Sequence, residues 1–131
     1  LYTVLVTLRP ARADGPASHT AVRMGFRRVE IVGRDLLLNG RRVIIKGVNH
    51  HDHHPDHGKA VPYATMLQDI RLMKRMNFNA VRCSHYPNDP RWLDLCDEHG
   101  LWVIDETNLE SHDFHNTICA DPRYATAFLD R

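Results

Sequence analysis

From residue 43 onward the sequence alternates short apolar runs with segments of helical periodicity, and this order limits the fold more than any other feature. The predicted strands are residues 43–48, 78–83 and 101–104, and the predicted helices are residues 63–76 and 90–99. Strands that alternate with helices form a parallel sheet with right-handed crossovers. No glycine-rich phosphate loop follows the first strand, which disfavours a nucleotide-binding fold. The pattern predicts an α/β fold, the start of a (β/α)8 TIM barrel with three strands and two helices.

The residues before this alternation have a different pattern, typical of antiparallel β structure. Residues 1–8 and 22–32 are predicted strands, joined by a loop with a turn at Asp14-Gly15-Pro16. Asn39-Gly40 favours a type I′ hairpin turn. We expect one domain to cover residues 1–32 and a second to cover residues 33–131. Because the chain begins inside a strand pattern and the residues from Asp121 look like the opening of a helix, we expect a segment of a longer protein.

Charge and cysteine content narrow the class of protein. Lys and Arg number 17 and Asp and Glu number 16, and this balance gives no support for a nucleic-acid or membrane-surface binder. No apolar run approaches the roughly 20 residues of a membrane span, and residues 1–8 lack the flanks of a signal peptide. Cys83, Cys96 and Cys119 form an odd set without CxxC spacing. We therefore expect reduced cysteines in a cytoplasmic protein that has neither nucleic-acid nor membrane partners.

Chemically capable side chains follow each predicted barrel strand. They lie in residues 49–54, 82–87 and 105–112, and the first of these clusters belongs to a histidine-rich segment between His50 and His57. In a TIM barrel the active site is built at the carboxyl ends of several strands at once. Three polar clusters at three strand ends therefore indicate an enzyme.

Two features of these clusters bear on metal binding and catalysis. If the chain is still extended at Glu110 and His112, their side chains point the same way and could bind a divalent metal or share a proton, although a hydrogen-bonded loop pair is the structural alternative. In an extended strand Glu106 and Glu110 would be about 13 Å apart, whereas glycosidase carboxylates are separated by about 5–9.5 Å. We therefore expect no catalytic carboxylate pair in this chain. The spacing of the histidines would allow a zinc site, but Pro55 and the lack of an HExxH motif favour a polar loop.

The segment 79–104 resembles the signature of glycoside hydrolase family 2. The matching residues are Asn79, Ala80, Val81, Arg82, Cys83, Ser84, His85, Tyr86, Pro87, Trp92, Leu93, Asp97 and residues 100–104. Residues 47–58 are similar to the first barrel strand of that family's β-galactosidases, with His50 in place of Arg and Asp52 in place of Glu. Residues 105–112 are similar to the third-strand segment. Residues 25–27 and 38–40 are similar to the junction with an immunoglobulin-like β-sandwich, whose last strands residues 1–32 would form.

The resemblance implies a retaining exo-β-galactosidase that releases terminal β-D-galactose, with its acid/base and nucleophile glutamates outside this chain. His51 and His85 match histidines that contact the sugar and favour the transition state. Arg82 matches an arginine that keeps the nucleophilic carboxylate ionised. Glu110 and His112 match ligands of an active-site Mg²⁺, and Na⁺ is a further expected ion of the full-length enzyme. The implied substrate is a β-galactoside, the implied parent is a homo-oligomer, and the isolated segment is expected to be inactive.

Other functions remain open on the sequence alone. The doubled His-His-Pro motif and the Glu110-x-His112 pair favour a β-galactosidase over the β-glucuronidases and β-mannosidases of the same family. A stand-alone histidine-rich module would bind zinc through His53 and His54 and would not depend on Glu110. A non-catalytic interaction protein would lack further strand-end glutamates in the rest of its reading frame.

Overall fold

The computed structural model describes residues 1–11, 15–115 and 117–131 and divides the chain into two compact units. The first, Leu1–Ile44, is called the amino-terminal unit, and the second, Ile45–Arg131, the barrel unit. The predicted domain boundary after residue 32 falls inside a hairpin of the amino-terminal unit. The assignment of the first 32 residues to an immunoglobulin-like sandwich stays a prediction.

All strand pairs in the described part of the amino-terminal unit are antiparallel. β1 (Tyr2–Leu8) pairs with β2 (Ser18–Met24), and β3 (Val29–Val32), β4 (Asp35–Leu38) and β5 (Arg41–Arg42) form a three-stranded sheet. The prediction of one strand over residues 22–32 was wrong. The backbone of Arg28 exchanges hydrogen bonds of 2.8 Å with Asn39, which ties it to the next hairpin instead of to β2.

The predicted hairpin turn is confirmed. Leu38 pairs with Arg41, so Asn39 and Gly40 are the two loop residues, and both have the positive φ that a type I′ turn requires (49° and 77°). The predicted turn at residues 14–16 includes Asp14, which lies outside the described residues. The loop between β1 and β2 is shorter than predicted, because β2 already begins at Ser18.

The barrel unit has the predicted alternation of strands and helices. β6 (Gly47–His50), β7 (Ala80–Cys83) and β8 (Trp102–Ile104) form a parallel sheet in that order, with α1 (Tyr63–Arg75) and α2 (Pro90–His99) as the crossovers. This confirms the predicted parallel sheet of three strands with two crossover helices.

The first barrel strand lies further along the chain than predicted. Residues 43–46 are outside any strand, and Ile44 and Ile45 are exposed. The backbone of Lys46 binds both the side chain and the backbone of Asn79, and the ladder begins only at the next residue. Gly47 then packs so closely on Ala80 that a Cβ atom would lie 3.1 Å from its carbonyl oxygen. The shift moves the strand end to His50 and places His51 directly after it.

Local signals set the helix ends as predicted. Asp89 caps α2 by accepting a hydrogen bond of 2.8 Å from the backbone N–H of Arg91, Pro90 occupies the first turn, and Gly100 ends the helix with a φ of 69°. Both helices bury their apolar faces in one core with the sheet. Its fully buried side chains include Met66, Ile70, Val81, Cys83, Trp92, Leu95 and Cys96.

After β8 the chain is irregular and then forms short helical turns. A 3₁₀ turn at His112–Phe114 is followed by α3 (Thr117–Ala120), a second 3₁₀ turn at Pro122–Tyr124 and α4 (Ala125–Leu129). The predicted helix from Asp121 is therefore present as two short turns. Across the described part of the chain, no helix is long and apolar enough to cross a membrane.

Candidate active site at the carboxyl ends of the barrel strands

A cleft of about 580 Å³ opens at the carboxyl ends of β7 and β8. Its lining residues are Arg82, His85, Glu106, Leu109, Glu110, Ser111, His112 and His115. Four of the five site residues predicted from the sequence, Arg82, His85, Glu110 and His112, therefore share one cleft. The fifth, His51, follows β6 and lies beside it, with its ring centroid 5.5 Å from that of His85.

An ion pair between two neighbouring strands forms one wall of the cleft. Arg82 pairs in register with Ile104, the last residue of β8, and Glu106 lies two residues further along the chain. The Nε of Arg82 donates to Oε1 of Glu106, and Oε2 of Glu106 lies 3.2 Å from Nδ1 of His85. A terminal nitrogen of Arg82 lies 3.2 Å from the same Nδ1. Three side chains are thus held together by contacts between β7 and β8.

Electrostatics favour the ionised form of Glu106. The hydrogen bond from Arg82 is the main cause that lowers the pKa of Glu106, burial acts in the opposite direction, and the contact with His85 adds to the lowering. The carboxylate is therefore negatively charged at neutral and mildly acidic pH.

The expected separation of Glu106 and Glu110 was wrong. Oε2 of Glu106 and Oε2 of Glu110 lie 3.2 Å and 3.4 Å from the same Nδ1 of His85, which excludes the separation of about 13 Å that an extended strand would give. β8 ends at Ile104, and the backbone then turns, with the N–H of Leu109 donating to the carbonyl of Thr107 at 2.8 Å. The turn brings the two carboxylates onto one histidine.

Glu110 and His112 were expected to point the same way only if the chain is still extended there, and the structure shows that it is not extended at His112. His112 begins the 3₁₀ turn, well after the end of β8. Both side chains nevertheless line the same cleft. A carboxylate and an imidazole with solvent access fit two positions of a divalent-cation site, although Mg²⁺ prefers oxygen. Within residues 1–11, 15–115 and 117–131, no three His, Cys, Asp or Glu side chains form a group that could hold a metal ion.

His51 is supported by a tyrosine and a lysine. Its Nδ1 lies 3.4 Å from the hydroxyl of Tyr86, and the ring centroids are 6.0 Å apart. The ammonium of Lys59 donates to the same hydroxyl and lies 3.9 Å from the centroid of the tyrosine ring. The interaction joins the histidine-rich loop after β6 to the segment after β7.

The rest of the histidine-rich segment is structural or exposed. His50 is stacked on the buried Trp92 with ring centroids 3.9 Å apart, and burial is the main cause that lowers its pKa. Asn88 donates to Asp52 at 2.7 Å, and both residues are buried. This network anchors the residues on either side of His51, while His53 and His57 are exposed. Within the described residues the zinc alternative therefore has no assembled ligand set.

The cysteines have no catalytic environment. Burial raises the pKa of Cys83 to about 11 and that of Cys96 to about 12, so both thiols stay protonated. Cys119 is exposed, and none of the three forms a disulfide.

Sequence reasoning missed several residues of the site. Glu106 was considered only as one of a catalytic pair, although its place two residues after the strand that pairs with Arg82 was a signal for the ion pair. Tyr86 was named only as part of the family resemblance and Lys59 carried no signal, because their contact depends on how two loops fold. His115 and Ser111 also lie in the cleft and were not singled out.

Comparisons with known proteins give the site a family context. The family described as "Glycosyl hydrolases family 2, TIM barrel domain" matches residues 29–131. A curated β-galactosidase of Photobacterium profundum is 47% identical over 133 aligned residues, which are 100% of this chain and 13% of that protein. The chain thus spans a small part of the relative's length.

Solved structures of related enzymes share the fold. A family 2 β-galacturonidase from Eisenbergiella tayi bound to galacturonate has a TM-score of 0.74 and 41% identity, over 88% of this chain and 21% of that chain. A β-glucuronidase of Parabacteroides merdae has a TM-score of 0.72 and 32% identity, over 80% of this chain and 13% of that chain. The relatives therefore include enzymes named for a neutral sugar and enzymes named for acidic sugars.

Proposed function

Because the chain belongs to glycosyl hydrolase family 2, whose TIM barrel domain covers residues 29–131, we propose that it is part of a retaining exo-β-galactosidase. The proposed substrate is a β-galactoside, from which the parent enzyme releases the terminal non-reducing β-D-galactose. The observation that carries this choice of sugar is the 47% identity to a β-galactosidase over the whole chain. The cleft at the strand ends supplies the place for a sugar ring.

In the proposed mechanism the acid/base and nucleophile glutamates come from parts of the parent outside this chain. A retaining glycosidase first forms a covalent glycosyl-enzyme while the acid protonates the leaving oxygen, and water then hydrolyses that intermediate. This chain supplies groups that bind the sugar and stabilise charge. His51 and His85 would donate hydrogen bonds to the sugar that strengthen as positive charge develops on the ring.

Arg82 would hold the nucleophilic carboxylate in its ionised form. Its Nε donates to Glu106 and one terminal nitrogen lies 3.2 Å from Nδ1 of His85, so the remaining N–H groups of its terminal nitrogens are the donors for a carboxylate from another strand. An opposite charge within about 4–6 Å lowers the pKa of a carboxyl group. Glu106 would keep the guanidinium in the required orientation.

We also propose Glu110 and His112 as two ligands of Mg²⁺, with the remaining ligands from water and from groups outside this chain. Their shared position in the cleft and the exposure of Glu110 are compatible with this role. A bound Mg²⁺ would supply positive charge beside the carboxylates. Na⁺ in the full-length enzyme, a homo-oligomeric parent and a cytoplasmic location remain predictions.

A second candidate is a glycosidase of the same family that acts on an acidic sugar. The similarity to solved β-glucuronidases and to the galacturonate-bound β-galacturonidase favours it. The family's β-mannosidases are a further alternative from the sequence.

The test is a substrate panel for the full-length parent protein. Aryl β-D-galactoside, β-D-glucuronide, β-D-galacturonide and β-D-mannoside are compared by kcat/KM. The proposal expects the galactoside to be hydrolysed at least tenfold more efficiently than the others. Preference for either uronide would establish the second candidate instead, and the isolated 131-residue segment should hydrolyse none of them.

A further inference from the structure

The hydroxyl of Tyr86 lies between two polar groups of different character. On one side the ammonium of Lys59 donates to it, and on the other side Nδ1 of His51 lies 3.4 Å away. Lys59 and His51 both belong to the loop after β6, whereas Tyr86 belongs to the segment after β7. Three side chains thus form a chain of polar contacts that ends on a histidine proposed to bind the sugar.

The donor and acceptor capacity of these groups favours one direction of the hydrogen bonds. An ammonium group can only donate, so it occupies a lone pair of the Tyr86 oxygen. The single hydroxyl hydrogen of Tyr86 is then free to point to Nδ1 of His51, which lies 3.4 Å away. A histidine that accepts at Nδ1 carries its hydrogen on Nε2 when it is neutral.

We propose that Tyr86 and Lys59 are positioning residues that set the tautomer of His51, so that its Nε2–H faces the substrate. The inference rests on the proposed function, because it gives the tautomer a role in holding the sugar. With the hydrogen on Nδ1 instead, His51 would present a lone pair at Nε2 and could not donate to developing charge. A group that is already oriented needs no reorganisation in the transition state.

The direction of the contacts leads to specific expectations for variants of the full-length parent, assayed with p-nitrophenyl β-D-galactoside. Tyr86→Phe removes the hydroxyl donor and should lower kcat by roughly three- to tenfold, the effect of one hydrogen bond, with little change in KM. Tyr63→Phe, at the exposed first position of α1, removes the same atom outside the cleft. This control should keep the wild-type kcat.

Substitutions of Lys59 distinguish control of the His51 tautomer from simple support of the loop. Lys59→Glu replaces a donor by an acceptor, draws the Tyr86 hydrogen away from His51 and should lower kcat about as much as Tyr86→Phe. Lys59→Arg keeps a cationic donor and should retain most of the activity. Because both changes act through the same hydroxyl, the double variant Tyr86→Phe/Lys59→Glu should be no less active than Tyr86→Phe alone.

The outcomes distinguish this inference from the proposed function. If the wild-type parent hydrolyses the galactoside but Tyr86→Phe behaves like Tyr63→Phe, the tautomer proposal is overturned and the proposed function stands. A full additional effect of Lys59→Glu when it is combined with Tyr86→Phe would also overturn it, since the two residues would then act independently. If the wild-type parent hydrolyses no galactoside, the proposed function fails first. The melting temperatures of all variants identify any loss of folding. If Tyr86→Phe unfolds, the variants at the exposed Lys59 still test the proposal.

Discussion

The Nε of Arg82 on β7 donates to the carboxylate of Glu106, which follows β8, and this ion pair links two neighbouring strands at the wall of the cleft. The same carboxylate contacts His85, so one acidic side chain orients both an arginine and a histidine of the proposed sugar site.

Replacement of Glu106 by Gln should lower kcat of the full-length enzyme by about tenfold. A charge-assisted hydrogen bond is roughly twice as strong as a neutral one, and only part of that difference in free energy acts on the transition state. The amide keeps the shape of the side chain but cannot hold Arg82 and His85 by charge. Glu98→Gln, on the exposed face of α2, is the matched control and should leave kcat unchanged. An unaltered kcat in Glu106→Gln would show that the ion pair has no role in positioning.

The side chain of His50 should stabilise the region around it, and this contribution to the local unfolding free energy should be smaller at acidic pH. His50→Ala removes the stack on Trp92 and one hydrogen-bond partner of Asn88, at a cost of about 2 kcal/mol of local unfolding free energy. Burial lowers the pKa of His50, although Asp52 and Asp69 oppose this and His51 adds to it. The wild type therefore loses stability as pH falls below the unfolded value of about 6.5, and the cost of the substitution should be smaller at pH 5 than at pH 7.5.

Hydrogen exchange of peptides from β6 and α2 measures this cost, and His53→Ala, an exposed neighbour in the same loop, serves as the control. A cost for His50→Ala that grows toward acidic pH would contradict the burial of a neutral imidazole.

Gly47→Ala should weaken the pairing of the first two barrel strands. The added Cβ would lie 3.1 Å from the carbonyl oxygen of Ala80, so the strands must move apart at a cost of about 1–3 kcal/mol. Gly25→Ala meets only the flexible side chain of Leu1 at 3.4 Å and should cost much less. Thermal unfolding of both variants in the full-length protein compares the two positions, and equal losses would argue against the close contact.

Individual residues show which parts of the structure could be predicted from the sequence and which could not. Asn39-Gly40 and Gly100 act through their own backbone, and Asp89-Pro90 acts within the first turn of α2, so the hairpin turn and the ends of α2 follow from local chemistry. The start of β6 could not be predicted, because it depends on the contact of Lys46 with Asn79, more than thirty positions away in the sequence. Contacts between loops, such as Lys59 with Tyr86, are set only by the folded chain.

The two glutamates of the third strand end illustrate the same limit. Glu106 and Glu110 were expected far apart because extended geometry was assumed beyond Ile104, although the predicted strand already ended at that residue. Their shared contact with His85 depends on a turn of the backbone that only the packed strand end determines.

Chelation of divalent cations from the parent enzyme should lower its activity, and added Mg²⁺ should restore it. Glu110→Gln removes one proposed oxygen ligand and should raise the Mg²⁺ concentration needed for half-maximal recovery by at least about tenfold. Asp113→Asn, a neighbouring exposed carboxylate outside the lining of the cleft, should keep the wild-type requirement. Equal Mg²⁺ requirements in Glu110→Gln and the wild type would remove Glu110 from the ligand set.

The most direct test of the central claim, that the cleft at the strand ends is part of a β-galactosidase site, is the steady-state kinetics of His85→Phe in the full-length parent. Phenylalanine keeps an aromatic ring but loses both ring nitrogens, so no hydrogen bond to the sugar can form. We predict that the wild type hydrolyses p-nitrophenyl β-D-galactoside and that the variant loses at least about a hundredfold in kcat/KM, as expected for a group that acts on the transition state. An unchanged kcat/KM in a folded His85→Phe variant would contradict the account.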